Sequence, residues 1–497
     1  MYFAKKSLQR SRGTQRQGRS PWFWLGMLAV FLVSLSLRFW QLSRFNTLVF
    51  DEVYYAIFAN NYLTRTQFFD GHPPLSKYIL AVGMWIGSHL PFGQDVVNSL
   101  TGSLRSPWSY RWLNALTGSL IPLVIAGIAY QISYSRTYAF IAALFAAADG
   151  LFLVESRYAL NNVYLVIFGL LGQLCFLLAL QHKKRRHVWL MLAGIAFGAT
   201  VSVKWNGLWF LLGTYSIWIA GWLSWLLPQR YSSYQSQFIQ VSSSLVNLRQ
   251  TKLWHIVFYL GIVPVAFYSI QWIPHLLLNP SPNFWEVQQK ILSYHQNIGS
   301  GADVHPYCSS WLSWLFMVRP VAYFYYIAQS TTAPISIVGP PLPASYARVI
   351  YDVHAIGNPI LWWLSTVGIV TLLWRLVRRF VTVWVTHTKR LSDRTSPTDT
   401  WVALYLVINW LTNLLPWVRV TRCTFIYHYM GASVFAGLAI AWLVARWIQS
   451  YSLLSRAVAI TIIFLILAAF VFWMPIYLGL PLTPESYRLR MLSPTWI

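Results

Sequence analysis

Two adjacent carboxylates, Asp51 and Glu52, stand in the run Phe50-Asp51-Glu52-Val53-Tyr54-Tyr55. Neighbouring carboxylates repel, and partial burial raises the pKa of at least one of them. A carboxylate held in that state can take a proton from a hydroxyl nucleophile. A solvated loop pair, or a charge at a helix N-terminus, fits the same residues. Further on, Asp70-Gly71-His72-Pro73-Pro74-Leu75-Ser76-Lys77 sets a proline pair before an apolar stretch. Pro73-Pro74 delivers extended chain into a helix that carries Lys77. Lys77 can reach a lipid phosphate there, or snorkel to the headgroups.

Four more cations stand at the edges of apolar runs: Arg111 in Tyr110-Arg111-Trp112, Arg157 in Glu155-Ser156-Arg157, Lys204 in Val203-Lys204-Trp205-Asn206-Gly207, and Arg422 in Arg419-Val420-Thr421-Arg422. Each alone fits snorkelling, and Arg157 can pair with Glu155 or Asp149. Together, at one depth, they can hold a phosphate whose charge grows as its ester breaks. The segment His305-Pro306-Tyr307-Cys308, with Trp311 and Trp314, suits either a sugar or peptide wall or an aromatic belt. His72, His305 and His428 are too scattered for a zinc or iron signature, so no metal and no cofactor is expected. The sequence has no Walker loop, no GxGxxG entering a helix and no GxSxG. Any activated donor is therefore expected to arrive through the membrane.

The elements that position these residues follow from composition. The chain has 497 residues, 57% hydrophobic and 10% charged, where a soluble protein carries roughly a quarter charged. This excludes a soluble enzyme and a disordered chain and points to an all-α polytopic membrane protein. Its net charge of +25 is read as charge flanking membrane helices, not as a nucleic-acid surface. Eleven apolar windows fall near 21–37, 109–132, 138–154, 160–181, 188–203, 206–227, 254–273, 357–376, 400–417, 425–445 and 457–478. A further stretch, Leu75–Leu90, is short and carries Lys77, and is expected to lie along the interface.

Residues 1–20 carry six cations and no acid, which keeps that tail cytoplasmic beside an uncleaved first span. Counting onward, the clusters at Lys183–Arg186, Arg230 to Lys252, Arg375 to Arg394 and Arg446 to Arg456 all fall inside. The acids, apart from Asp393 and Asp399, fall outside, as do two long loops, 41–107 and 274–356, and the C-terminus. The chain thus reads as one membrane domain: tail 1–20, first external loop 41–107, second external loop 274–356, and C-terminal helices 357–497. Thr386–Thr400 reads as a flexible cytoplasmic loop. Of the three cysteines, Cys308 and Cys423 can both face outward, and whether they pair is left open.

The run from Phe50 to Lys77 resembles the first lumenal loop of the protein O-mannosyltransferases, which carry an Asp-Glu pair followed by His-Pro-Pro-Leu-x-Lys. The resemblance continues through Tyr110-Arg111, Asp149-Gly150-Leu151, Glu155-Ser156-Arg157, Lys204-Trp205-Asn206-Gly207 and His305-Pro306-Tyr307, and ends at Arg422–Tyr429. It implies a GT-C membrane fold with external interfacial helices. It implies inverting transfer of mannose from polyprenyl-phosphate-mannose to Ser or Thr hydroxyls of translocated proteins. By the same resemblance Asp51 is the general base and Glu52 supports it or binds the acceptor. Arg111, Lys204, Arg422, Lys77 and Arg157 face the donor phosphate, and His72, Asp149, Glu155, His305, Tyr307 and His428 line the substrate site.

Eukaryotic members insert a large β-rich module between spans seven and eight, and the interval here is too short for it. The chain therefore resembles bacterial members of a plasma membrane, with a polyprenol shorter than dolichol. Lipid length, sugar, acceptor sequence and oligomeric state are not legible. A related GT-C enzyme that moves another sugar or modifies a lipid, such as an aminoarabinose transferase, shares the architecture. A lipid or solute transporter usually has mid-membrane charges and repeated halves, and neither is visible here.

Overall fold

The computed structural model describes residues 21–226, 247–328, 349–385 and 396–496. The basic tail 1–20, the part of the sixth connection holding Arg230, and the stretch with Lys389, Arg390, Asp393 and Arg394 lie outside them.

Among the described residues nine helices are long and apolar enough to cross a membrane. Three more helices fall in the two remaining windows, so the eleven expected positions are all helical. In chain order the helices are α1 (Pro21–Phe39), α2 (Glu52–Thr64), α3 (Leu75–His89), α4 (Pro107–Ser133), α5 (Arg136–Ala147), α6 (Gly150–Glu155), α7 (Asn162–Gln181), α8 (Arg186–Val203) and α9 (Leu208–Leu226). Then come α10 (Leu253–Leu278) and α11 (Phe284–Asn297), and after a hairpin α12 (Pro359–Val385), α13 (Pro397–Leu414), α14 (Met430–Ile448) and α15 (Leu453–Leu478). Large side chains such as Leu25, Val33, Val265, Ile460, Phe464 and Val471 are exposed on the outside of the bundle. That surface is stable only against lipid. This is a multi-pass membrane protein.

Helix α14 runs through the middle, with Ala432, Phe435, Ala439, Ala441 and Val444 all buried. Small residues there let α5, α12 and α13 approach it closely. A polar knot ties three helices together inside the apolar bundle. Gln173 on α7 donates to Asn409 on α13 (2.8 Å) and to the Phe210 carbonyl on α9 (2.8 Å), and Tyr405 donates to Gln173 (2.8 Å). With no water at that depth, each polar group needs such a partner.

Two features differ from the sequence reading. The third apolar window is not one helix. Asp149 breaks it, ending α5 and capping α6 through the amides of Leu151 and Phe152. The second long loop also holds strands, in a fold otherwise helical. β1 (Val321–Ala328) pairs antiparallel with β2 (Val349–Ala355), from Val321↔Ala355 to Ala328↔Val349, with an irregularity between Ala322 and Phe324. Both segments are rich in β-branched and aromatic residues, as strands prefer. The expected interfacial helix Leu75–Leu90 is present as α3, packed on α2 and α4.

Candidate active site

Asp51, His72, Glu155, Lys204, His295 and Arg422 meet at one end of the bundle, beneath α2, α11 and the hairpin.

Asp51 is the residue before α2, and among the described residues its carboxylate has no hydrogen-bond partner, not even the helix amides behind it. Its position is set from both sides. Phe50 adopts a left-handed backbone (φ 52°) and stacks flat on Tyr323 of β1 at 4.3 Å. A left-handed phenylalanine costs of order 1–3 kcal/mol, and the stack, with Tyr427 edge-on at 6.1 Å, holds it there. On the other side Glu52 is fully buried and forked by Arg111 of α4, Nε to Oε1 at 2.9 Å and Nη2 to Oε2 at 2.7 Å. Glu52 also accepts from the amides of Val49 (2.8 Å) and Ala159 (2.7 Å). Arg111 donates its other hydrogens to the carbonyls of Leu42, Phe45 and Thr47.

All five guanidinium hydrogens of Arg111 are thereby committed. The sequence reading put Arg111 on the donor phosphate and had Glu52 support Asp51 or bind the acceptor. The structure commits Arg111 to Glu52 instead, and sets Glu52 behind Asp51 with its oxygens already bonded. The two neutralise each other, and their pair anchors the loop that presents Asp51.

Three further assignments are corrected on the same ground. Arg157 donates to the carbonyls of Leu37 (2.7 Å) and Trp40 (2.8 Å), so it caps the C-terminus of α1. Lys77 is buried, pairs with Asp70, and donates to the carbonyls of His72 (2.8 Å) and Pro73 (2.7 Å). Its three protons hold the turn and none remains for a lipid phosphate. Asp149 caps α6 and accepts from Trp362 at 2.6 Å, so it does not line the substrate site.

Two cations remain for a ligand. Lys204 follows the last residue of α8 in extended conformation. The turn after it needs a glycine, because a Cβ on Gly207 would meet the backbone of Thr200 at 2.6 Å. Lys204 donates to Asn162 at 2.8 Å and lies 5.4 Å from the Tyr427 ring. Asn162 turns its amide to Glu155 (3.1 Å), which also accepts from Tyr323. Among the described residues Arg422 bonds only to the adjacent Cys423 carbonyl, at 3.0 Å. A Cys308–Cys423 disulfide settles the pairing left open by the sequence. It fastens the Arg422 segment to the loop of His305, together with the bonds Cys423 to Gly299 (2.7 Å) and Ser309 to Thr424 (2.8 Å).

The electrostatics are unusual. Burial raises the Asp51 pKa to about 6, Lys204 opposes the rise and Asp70 adds to it. Burial lifts Glu155 as well, against its bond from Tyr323 and the charge of Lys204. Burial lowers Lys204 against the pull of Asp51 and Glu155, and Arg422 lowers it further. Burial, then Lys204 and His295, hold His72 neutral. The chamber thus joins a free carboxylate poised near neutral pH to two closely set cations.

His72 stands in this chamber with its ring 5.2 Å from His295. His305 and Tyr307 lie at the rim; His305 accepts from the Tyr307 amide (3.2 Å) and meets Phe425 edge-on at 5.0 Å. His428 stabilises the turn after Arg422 by accepting from the Phe425 amide at 3.0 Å. Asn162, Tyr323, Tyr427 and His295 were not singled out by sequence reasoning. For Asn162 a signal existed: a polar Asn161-Asn162 pair opens an apolar helix directly after Glu155-Ser156-Arg157.

Family models match nearly the whole chain. Residues 28–278 match the model described as dolichyl-phosphate-mannose-protein mannosyltransferase, and residues 280–496 match that of the C-terminal four-helix region of protein-O-mannosyltransferase. The chain belongs to the protein O-mannosyltransferase family. It is a membrane-embedded mannosyltransferase. A polyprenol-phosphate-mannose–protein mannosyltransferase of Mycolicibacterium smegmatis is 21% identical over 90% of this chain and 88% of its own. The Corynebacterium glutamicum protein of the same name is 23% identical over 86% and 81%. Among solved structures, the Saccharomyces cerevisiae protein O-mannosyltransferase Pmt1–Pmt2 complex bound to its sugar donor superimposes with a TM-score of 0.75 at 15% identity, covering 97% of this chain and 93% of that one. ArnT of Cupriavidus metallidurans, bound to undecaprenyl phosphate, gives 0.51 at 15% identity, covering 93% and 77%. These likenesses establish the GT-C fold.

Proposed function

We propose that this chain transfers mannose from a polyprenyl-phosphate-mannose to Ser or Thr hydroxyls of translocated proteins, with inversion, at the outer face of a bacterial plasma membrane. One observation carries the reading. Among the described carboxylates around the chamber, Glu52, Asp70 and Glu155 are each paired or hydrogen-bonded, whereas Asp51 has no hydrogen-bond partner and feels the charge of Lys204.

In this account Asp51 accepts the proton of the Ser or Thr hydroxyl as its oxygen attacks the anomeric carbon. The bond from that carbon to the phosphate oxygen breaks, and the polyprenyl phosphate leaves with its charge grown from about −1 to about −2. Lys204 and Arg422 stabilise that growth, and Glu155, Asn162 and Tyr323 hold Lys204 in place. A base with a pKa near the working pH is an efficient one. The two cations supply the electrostatic work that a divalent ion performs elsewhere, so transfer is expected to continue in chelator. The basic residues Lys183–Arg186 beyond α7 and Arg446 at the end of α14, on the side away from the chamber, and a disulfide beside the chamber, both fit a chamber on the outer, oxidising side.

Incubation of the purified protein with polyprenyl-phosphate-mannose and a Ser/Thr peptide tests this. The expected product is a peptide heavier by one hexose, with an α-mannosyl linkage if the donor is β-linked. An unmodified peptide, or a sugar on lipid alone, counts against it.

A further inference from the structure

Among the buried polar atoms that the proposed chemistry does not use is His295 Nδ1, on a half-buried ring. His295 lies in the last turn of α11, an external helix opened by an Asn283–Glu286 capping box. This helix buries Val287 and Ile291 against Trp272, Phe69 and Trp205. It docks tightly where the chain lacks a side chain: a Cβ on Gly71 would meet the Tyr294 ring at 2.5 Å. At that contact His295 Nε2 lies 2.8 Å from the Gly71 carbonyl. A carbonyl only accepts, so Nε2 carries the hydrogen.

The ring is neutral. Burial, then Arg422 and Lys204, bring its pKa down to about 4 against the bond to Gly71. In that tautomer Nδ1 is a bare lone pair, and it is buried with no hydrogen-bond partner among the described residues. A buried acceptor left unsatisfied costs about 1–3 kcal/mol, so one that persists calls for a partner. Its surroundings narrow the choice. The His72 ring is 5.2 Å away and Trp205 6.4 Å, a wall of flat rings of the kind that packs against a sugar face. The phosphate-side cations are close enough to shift its titration. A neutral acceptor beside two cations repels no phosphate and can accept from a hydroxyl of the sugar esterified to that phosphate.

We propose that His295 Nδ1 accepts a hydrogen bond from a hydroxyl of the donor's sugar, making α11 the element that recognises the sugar while Lys204 and Arg422 hold the phosphate. The inference rests on the donor being a polyprenyl-phosphate sugar.

His295→Gln tests it. The glutamine amide can replace Nε2 as donor to Gly71, but it supplies no acceptor at the Nδ1 position, so docking is kept and recognition removed. Three quantities are measured: kcat/KM for polyprenyl-phosphate-mannose, inhibition by sugar-free polyprenyl phosphate, and kcat/KM for the 2-, 3-, 4- and 6-deoxymannosyl donors. The expected result is a ten- to hundredfold fall in kcat/KM, with polyprenyl phosphate inhibition within twofold of wild type. That inhibition also reports that the variant is folded. One deoxy donor, poor with the wild type, should suffer no further loss in the variant.

Equal turnover by variant and wild type overturns the inference. So does an equal loss of polyprenyl phosphate binding, or a uniform fall for every deoxy donor. If the wild type transfers no sugar, the proposed function and this inference fall together. If the wild type is active and His295→Gln matches it, only the inference falls.

Discussion

The Glu52–Arg111 pair gives the sharpest test of how the chamber is built. Both side chains are fully buried, linked by two hydrogen bonds at 2.9 and 2.7 Å. Arg111→Gln leaves Glu52 as an unpaired buried charge and strips three loop carbonyls of their donor. Breaking such a pair costs about 3–5 kcal/mol, because the stranded charge cannot reach water. Glu52→Gln strands the guanidinium in the same way. The double variant strands neither charge, so the two costs do not add, and a coupling of about 2 kcal/mol or more is expected. Thermal inactivation of the four proteins in detergent, together with donor KM, reads this out. Both single variants should inactivate at clearly lower temperature, the double variant with a loss smaller than the sum of the two single losses, and any surviving single-variant enzyme should keep a near-normal KM for donor. Additive losses within about 0.5 kcal/mol, or a stable Arg111→Gln protein whose donor KM rises tenfold, would return Arg111 to the phosphate and refute the reasoning.

Other consequences follow from the same geometry. A base must be deprotonated to act, so kcat/KM should fall as pH drops through about 6, the value to which burial raises Asp51. It should fall again on the alkaline side, below lysine's ordinary pKa, as Lys204 loses its proton; Lys204→Arg should remove that alkaline limb and leave the acid one. Asp70 contributes to the Asp51 shift, so Asp70→Asn should move the acid limb to lower pH, read from the same pH–rate profile. Opening the Cys308–Cys423 bridge with Cys423→Ser frees the Arg422 segment, and should cost about 2–4 kcal/mol of stability and weaken inhibition by polyprenyl phosphate, measured by calorimetry and competition.

The spans were legible because a membrane helix declares itself locally: twenty apolar residues in a row need no partner to be recognised. The helix at Leu75 was legible for the same reason, being apolar but short and led in by two prolines. The site was legible only as a set of charge types. Asp51, Glu52, Arg111, Arg157 and Lys204 look alike in sequence, each a charge beside an apolar run. What separates Lys204 from Arg111 is a partner 59 residues away in the chain, Glu52, which neutralises one and not the other. Arg157 likewise bonds to carbonyls at the end of α1, some 120 residues earlier, and backbone carbonyls leave no trace in composition. His295 escaped notice because a neutral polar residue has no cost signal until its burial is known, and Asn162 was marked only by its place at the start of an apolar helix. The hairpin was missed because its strands are joined across residues 329–348 and no tight-turn signal links them.

The account turns on Asp51, and one comparison reaches it directly: hexose transfer to a Ser/Thr peptide by the wild type and by Asp51→Asn, followed by mass measurement, with polyprenyl phosphate binding measured in both. The variant should bind the lipid phosphate normally and transfer at least about 10²-fold more slowly. An Asp51→Asn enzyme that binds normally and works at near wild-type rate would contradict it.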